Sequence, residues 1–260
     1  QGIGVRILTT GVLSGIGKYI HENLGGTGIT RSTSAEELEK IKRDGVDVII
    51  HCAFNSEKEV TSDSLYKYFK DNVLFVNELV AIPHKKFILF STVDTYASNS
   101  DVHREDELIH MDTMRGMYAI TKHISESIVK IKGRNFLILR PTTLLGKYAR
   151  RNTLTRIIEG VTEPLFLSGN SRFNYVLHSD IVEFITFSIG RDIKGIFNVA
   201  STGNIFLAEV AKLLNKKLRC GTYLYDVGNI SNDKIAALFP AFKKTSKEIL
   251  NQFAEVWKSA

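Results

Sequence analysis

The sequence predicts an α/β fold, a doubly wound parallel sheet followed by a smaller C-terminal lobe. Two observations point there. Up to Arg140, short β-branched runs alternate with amphipathic stretches of helical length, the pattern of strands joined by crossover helices. Beyond Arg140 the alternation loosens, and Pro141, Gly146, Gly160, Pro164 and Gly169 cut the chain into shorter elements.

Strands are expected at 5–9, 28–31, 46–51, 86–91 and 135–140, with helices between them at 15–24, 35–44, 64–81 and 116–132. Ser34 stands before Ala35-Glu36-Glu37-Leu38, where a hydroxyl and early carboxylates favour a helix start. A helix at 179–190 and a strand at 195–199 are placed to return to the sheet, and a helix from Phe206, a strand near 219–225 and a last helix near 246–258 complete the chain. The sheet domain is therefore expected over 1–148 with 178–200 rejoining it, and the lobe over 149–177 and 201–260.

Composition bounds the partners. The 260 residues, 43% of them apolar, suffice for one substantial core with a small appended lobe. The 34 Lys and Arg against 28 Asp and Glu leave a spread excess of +6, which suits an anionic small ligand. Basic residues are not interleaved with aromatics along one element, so nucleic acid is not an expected partner. The lone cysteines Cys52 and Cys220 suggest neither a disulfide framework nor a metal cluster, and no metal is expected. No apolar run nears the roughly 20 residues of a membrane span and no secretion signal opens the chain, so a cytoplasmic protein is expected. Gln1-Gly2, without an initiator Met, reads as the remnant of a cleaved tag.

Thr10-Gly11-Val12-Leu13-Ser14-Gly15-Ile16-Gly17 follows the first strand directly and opens the first helix. Glycines there let the chain turn sharply, bring bare backbone against a pyrophosphate and pack the helix on the sheet. The helix-start N–H groups then face the phosphate charge. An acidic residue at the end of the second strand would favour NAD. Here the strand ends Ile29-Thr30-Arg31-Ser32, and a guanidinium beside hydroxyls leans towards the extra phosphate of NADP.

Tyr118-Ala119-Ile120-Thr121-Lys122 puts a phenol and an ammonium four residues apart, on one face of a helix. A phenol with a pKa of about 10 is a poor base at neutral pH, and a neighbouring cation favours its ionised form. In the reductive direction Tyr118 would hand its proton to a carbonyl oxygen. Phe90-Ser91-Thr92-Val93-Asp94 begins at a strand end, where open α/β sheets bind ligands, and the Thr92 hydroxyl could orient the reacting oxygen.

Together these segments resemble the short-chain dehydrogenase/reductase family, in particular its extended branch of nucleotide-sugar epimerases, dehydratases and keto-sugar reductases. The resemblance also rests on His51-Cys52-Ala53, Asn72-Val73, Arg140-Pro141-Thr142-Thr143-Leu144-Leu145-Gly146, His178-Ser179-Asp180-Ile181-Val182 and Phe197-Asn198-Val199-Ala200. It implies a Rossmann-like domain binding NADP or NAD. Gly11, Ser14, Gly15, Ile16 and Gly17 would lie around the pyrophosphate, Arg31 and Ser32 at the adenosine ribose, and Cys52, Ala53, Phe54 and Asn72 along the cofactor. Pro141 and Thr142 would border the nicotinamide, and Thr92, Tyr118 and Lys122 would form the catalytic set.

A nucleotide-sugar substrate is implied, with Asp94, Thr143, Arg150, Arg151 and Arg172 as candidates to hold it. The resemblance leads to a keto-sugar reductase, with an epimerase or a cofactor-sensing regulator as alternatives, and to a possible homodimer. Three departures stand out. The glycine turn has the spacing of the single-domain branch, and the 31–46 stretch is too short for the extra strand of many relatives. Val93 stands where dehydratases carry the first residue of an Asp-Glu pair, and an apolar side chain cannot protonate a leaving hydroxyl.

Overall fold

A computed structural model describes residues 4–133, 135–160 and 163–259; Gln1 and Gly2 lie outside them. The chain divides into two compact units: 1–97 with 109–140 and 185–197, and 98–108 with 141–184 and 198–260.

The first unit is built on parallel strands β1 (Ile7–Thr10), β2 (Thr27–Ile29), β3 (Val48–His51) and β4 (Lys86–Phe90), followed by Phe136–Pro141 and Gly195–Val199. Across the six-stranded sheet the order is Gly195–Val199, Phe136–Pro141, β4, β3, β1, β2. β2, three residues long, forms one edge. The chain leaves β1 towards β2 and then returns to the other side of β1 for β3, so the direction of winding reverses there. No extra strand intervenes between β2 and β3, as the short 31–46 stretch requires.

Helices α1 (Gly15–Leu24) and α2 (Ala35–Asp44) have their expected bounds. The Ser34 hydroxyl accepts the Glu37 N–H at 3.2 Å and caps α2. The third expected helix is broken into α3 (Ser62–Phe69), a π-helical turn (Lys70–Leu74) and α4 (Phe75–Val80). α5 (Gly116–Lys132) carries Tyr118 and Lys122. Leu8, Ile49, Phe87, Leu89 and Ile138 from the sheet pack with Val76, Leu79 and Val129 from the helices into the core of this unit. β3 and β4 are buried along their whole length, as expected of strands covered on both faces.

The second unit has its own core, in which Leu145, Leu154, Phe173, Tyr175, Leu207, Leu250 and Phe253 pack together. Its strands are short. Thr143–Leu145 runs parallel to Tyr175–Leu177, and Cys220–Tyr223 parallel to Leu165–Leu167. The helix Thr153–Glu159 starts at Asn152, whose side-chain oxygen accepts the Thr155 N–H at 3.1 Å. Among the described residues no helix is long and apolar enough to cross a membrane.

Candidate active site

All four labelled strands point the same way, so their carboxyl ends share one edge of the sheet. The candidate residues of the first unit gather along that edge. Gly11 follows β1 with φ +76°, in the left-handed region open to glycine. A Cβ on it would come within 2.8 Å of the Ala53 nitrogen, so the turn after β1 lies directly on the backbone that follows β3. A Cβ on Gly17 would lie 2.4 Å from the Gly11 carbonyl oxygen, because α1 packs its first turn against the loop. Ser14 caps α1 with extended backbone but its side chain makes no capping bond. The first N–H groups of a ten-residue helix thus remain available to an external anion. Glycine loop, bare helix start and close backbone suit a dinucleotide pyrophosphate.

Past β3, the backbone is held at both ends. The Thr10 hydroxyl oxygen accepts the N–H groups of Cys52 and Ala53 at 3.2 and 3.1 Å. With those acceptor positions filled, its own proton is directed to His51 Nδ1, 2.7 Å away. That imidazole is buried, and the loss of water, reinforced by the Lys122 charge, pushes its pKa down to about 3. Burial pushes the Cys52 thiol up to about 12. Both groups are therefore uncharged at neutral pH. On the far side, Asn72 Oδ1 accepts the Asn55 N–H at 2.7 Å, and Asn72 Nδ2 donates to the Asn55 carbonyl at 3.1 Å. Asn72, expected along the cofactor, thus spends its amide on the loop.

The π-helical turn accounts for the placement of Asn72. Its carbonyl accepts the Ser125 hydroxyl at 2.9 Å, tying the turn to α5. Three residues earlier on α5, Lys122 donates through Nζ to the carbonyl of Phe90, the last residue of β4, at 2.7 Å. Lys122 is only 6% exposed. Its ammonium also lies over the ring of Phe54, 4.3 Å from the centroid. Tyr118, one turn earlier and 39% exposed, meets the same ring edge-to-face at 5.0 Å. The phenol and the ammonium thus share one face of α5 and both meet the ring of Phe54, three residues past the carboxyl end of β3.

Thr92 is two residues past β4 and buried. Its hydroxyl oxygen accepts the Asp94 N–H at 3.1 Å, starting a short 3-10 turn over Val93–Thr95. Asp94 itself is exposed. Partial loss of water beside the neighbouring protein holds its carboxyl above the usual range, opposed by Thr92 and the Arg115 charge.

At the end of β2, Arg31 extends into solvent and pairs with Asp71 of the π turn at 3.1 Å. Asp71 also binds Lys67 at 3.2 Å and Asn55 Nδ2 at 3.0 Å. Ser32 donates its N–H to Thr30 Oγ1, and the two hydroxyls lie 2.8 Å apart.

The remaining candidates belong to the second unit. Pro141 is buried at the end of its strand. Thr142 donates its hydroxyl to Asn174 Oδ1 at 2.9 Å, and the Thr143 N–H donates to the Asn174 carbonyl at 3.1 Å. Arg172 is engaged: its Nε and Nη2 meet the Asp226 carboxylate at 2.7 to 3.1 Å, and Nη1 reaches Asn229 at 3.3 Å. Arg151 pairs with Glu159 at 3.5 Å, and Arg150 is exposed. Among the described residues no three His, Cys, Asp or Glu side chains are grouped to hold a metal ion.

Sequence reasoning missed a buried cluster beneath the catalytic candidates. Glu126, with no exposure, binds Arg140 and accepts the Ser91 hydroxyl, while Arg140 Nη1 donates to the Tyr96 hydroxyl at 2.8 Å. The available signal was spacing, since Glu126 follows Lys122 by four residues on the same helix face.

A sequence profile of the NAD dependent epimerase/dehydratase family matches residues 8–200. Similar solved structures include dTDP-4-dehydrorhamnose reductase from Clostridium acetobutylicum ATCC 824, at 16% identity, 97% of this chain, 99% of that one and a TM-score of 0.80. The dTDP-4-dehydrorhamnose reductase from Bacillus anthracis str. Ames, in complex with NADP, is 18% identical, with 96% and 98% covered and a TM-score of 0.79. UDP-glucuronic acid 4-epimerase from Bacillus cereus, in complex with UDP-glucuronic acid and NAD, is 19% identical, with 98% and 99% covered and a TM-score of 0.77. At such identities the likeness concerns the fold. Among curated proteins, sucrose synthase 1 of Oryza sativa subsp. japonica is 26% identical over 235 residues, 84% of this chain, and the chain spans 26% of that protein's length.

Proposed function

The chain belongs to the NAD dependent epimerase/dehydratase family, and from that premise we propose that it is an NAD(P)-dependent oxidoreductase that reduces the keto group of a nucleotide-activated sugar. The observation that carries this reading is the meeting of the glycine turn, Thr92, Tyr118 and Lys122 at one edge of a parallel sheet. When bound, the nicotinamide cofactor supplies the hydride.

Gly11, Gly15, Ile16, Gly17 and the uncapped start of α1 at Ser14 hold the pyrophosphate. Cys52, Ala53 and Phe54 line the cofactor, with Asn72 fixing their loop. Tyr118 passes a proton to the carbonyl oxygen, Thr92 orients that oxygen, and Lys122 favours the resulting phenolate. Pro141 and Thr142 border the nicotinamide. Asp94, Thr143, Arg150, Arg151 and Arg172 are the substrate-side groups, Arg172 exchanging Asp226 for a diphosphate. The lobe that binds the sugar comprises 149–177 and 201–260, and 178–200 belongs with the cofactor domain.

Arg31 and its neighbouring hydroxyls support NADP as the preferred cofactor. A cytoplasmic location fits the free thiols of Cys52 and Cys220. A homodimer through α3 and α5 fits the exposed Tyr66 and Ile131.

An epimerase is the second reading, favoured by the likeness to UDP-glucuronic acid 4-epimerase with NAD. The two differ in cofactor traffic, since an epimerase regenerates its cofactor at each turnover. The test offers purified protein a panel of nucleotide 4-keto sugars with NADH or NADPH, following absorbance and product stereochemistry. Stoichiometric cofactor oxidation with a matching reduced sugar, slowed about 100- to 10,000-fold in Tyr118→Phe, is expected. Epimerised sugar without net cofactor oxidation selects the second reading. Activity unchanged in Tyr118→Phe overturns both.

A further inference from the structure

Phe54, on the loop after β3, joins two helices of the first unit. Its ring lies edge-to-face with Tyr118 of α5 at 5.0 Å and with Tyr68 of α3 at 5.9 Å, and the Lys122 ammonium sits 4.3 Å from its centroid. The backbone on either side is pinned, by Thr10 at Cys52 and Ala53 and by Asn72 at Asn55. A ring with its main chain clamped on both sides and an aromatic neighbour behind it is a fixed object, not a mobile lid.

We propose that Phe54 is a positioning residue for the proton-moving pair: its π face seats the Lys122 ammonium while its ring braces the Tyr118 phenol. The inference rests on the reading of Tyr118 and Lys122 given above. Lys122 has four rotatable side-chain bonds, and a flexible ammonium near a phenol lowers its pKa only for the fraction of time it stays there. The Phe90 carbonyl supplies one anchor for Nζ, and the Phe54 ring supplies a second that accepts a cation without accepting its proton. His51 at the end of β3 and Cys52 just past it, which feel this ammonium, are uncharged at neutral pH, and Tyr68 on α3 is held above the usual phenol range by burial, with Thr121 and Asn72 opposing.

The test reads the Tyr118 hydroxyl directly, without substrate or cofactor. Protein carrying ζ-carbon-13 tyrosine is titrated by NMR, and the Tyr118 resonance is identified by its loss in Tyr118→Phe. Phe54→Leu, which keeps an apolar side chain but removes the π face, is expected to raise the Tyr118 pKa by about half a unit to one unit. Replacing Phe54 by 3,4,5-trifluorophenylalanine keeps the shape and cancels most of the ring quadrupole, and it should shift the titration in the same direction. A Tyr118 titration that matches wild type in the fluorinated protein overturns the proposal, whether or not Phe54→Leu folds. A shifted titration in a protein that turns over no keto sugar sustains the role of Phe54 and removes the reductase reading, so the two fail separately.

Discussion

Arg140 and Glu126 meet as a two-pronged ion pair inside the protein, with Arg140 Nε and Nη2 donating to the two carboxylate oxygens at 2.9 and 2.7 Å. The pair joins α5 to the strand Phe136–Pro141. Through Ser91 and Tyr96 it also holds the segment that carries Thr92.

Removing one partner leaves a buried charge uncompensated, and Glu126→Ala is expected to cost about 3–5 kcal/mol in denaturant unfolding. Burial alone would raise the Glu126 carboxyl, but hydrogen bonds from Arg140 and Ser91, the Arg140 charge and the His123 ring 3.8 Å away outweigh it and hold the group at about 2. A folded value below the ordinary 4.5 means that this stabilisation is complete above about 4.5 and fades as pH falls towards about 2. Unfolding midpoints measured across that window should fall less steeply in Glu126→Gln than in wild type.

Gly17→Ala places a methyl 2.4 Å from the Gly11 carbonyl oxygen, a backbone atom that cannot swing aside. The expected cost is about 1–3 kcal/mol of stability. The cofactor-induced rise in melting temperature should also disappear, because the displaced turn no longer presents its N–H groups to the pyrophosphate. Thermal unfolding with and without NADPH checks both.

Arg31→Ala should weaken NADPH about 10- to 100-fold and NADH far less, since a charged hydrogen bond to the extra phosphate is worth about 1.5–3 kcal/mol. Fluorescence titration of the two cofactors decides this. Equal losses for both would assign Arg31 to Asp71 alone, as a clamp between β2 and the π turn.

What the sequence disclosed follows the range of the forces involved. Helices α1, α2 and α5 end where a glycine or a capping hydroxyl stands beside them, and such signals are local. The Tyr118 and Lys122 relationship is equally local, being one turn of one helix. The π turn was invisible, because nothing in Lys70-Asp71-Asn72-Val73-Leu74 announces that Asn72 will be claimed by Asn55 and Ser125. The strands of the second unit, two to four residues long, are too short to show a period, and of Thr143–Leu145, Leu165–Leu167 and Cys220–Tyr223 only the last fell inside an expected element. The Phe54 ring and the Glu126–Arg140 pair depend on neighbours far away in the chain, 64 residues from Phe54 to Tyr118 and 14 from Glu126 to Arg140.

The brevity of β2 has a consequence for how the molecule behaves in a crowd. A sheet margin with unpaired amides invites other chains to polymerise along it. Three residues, one of them Gly28, offer a foreign strand too few rungs and too little side chain to take hold.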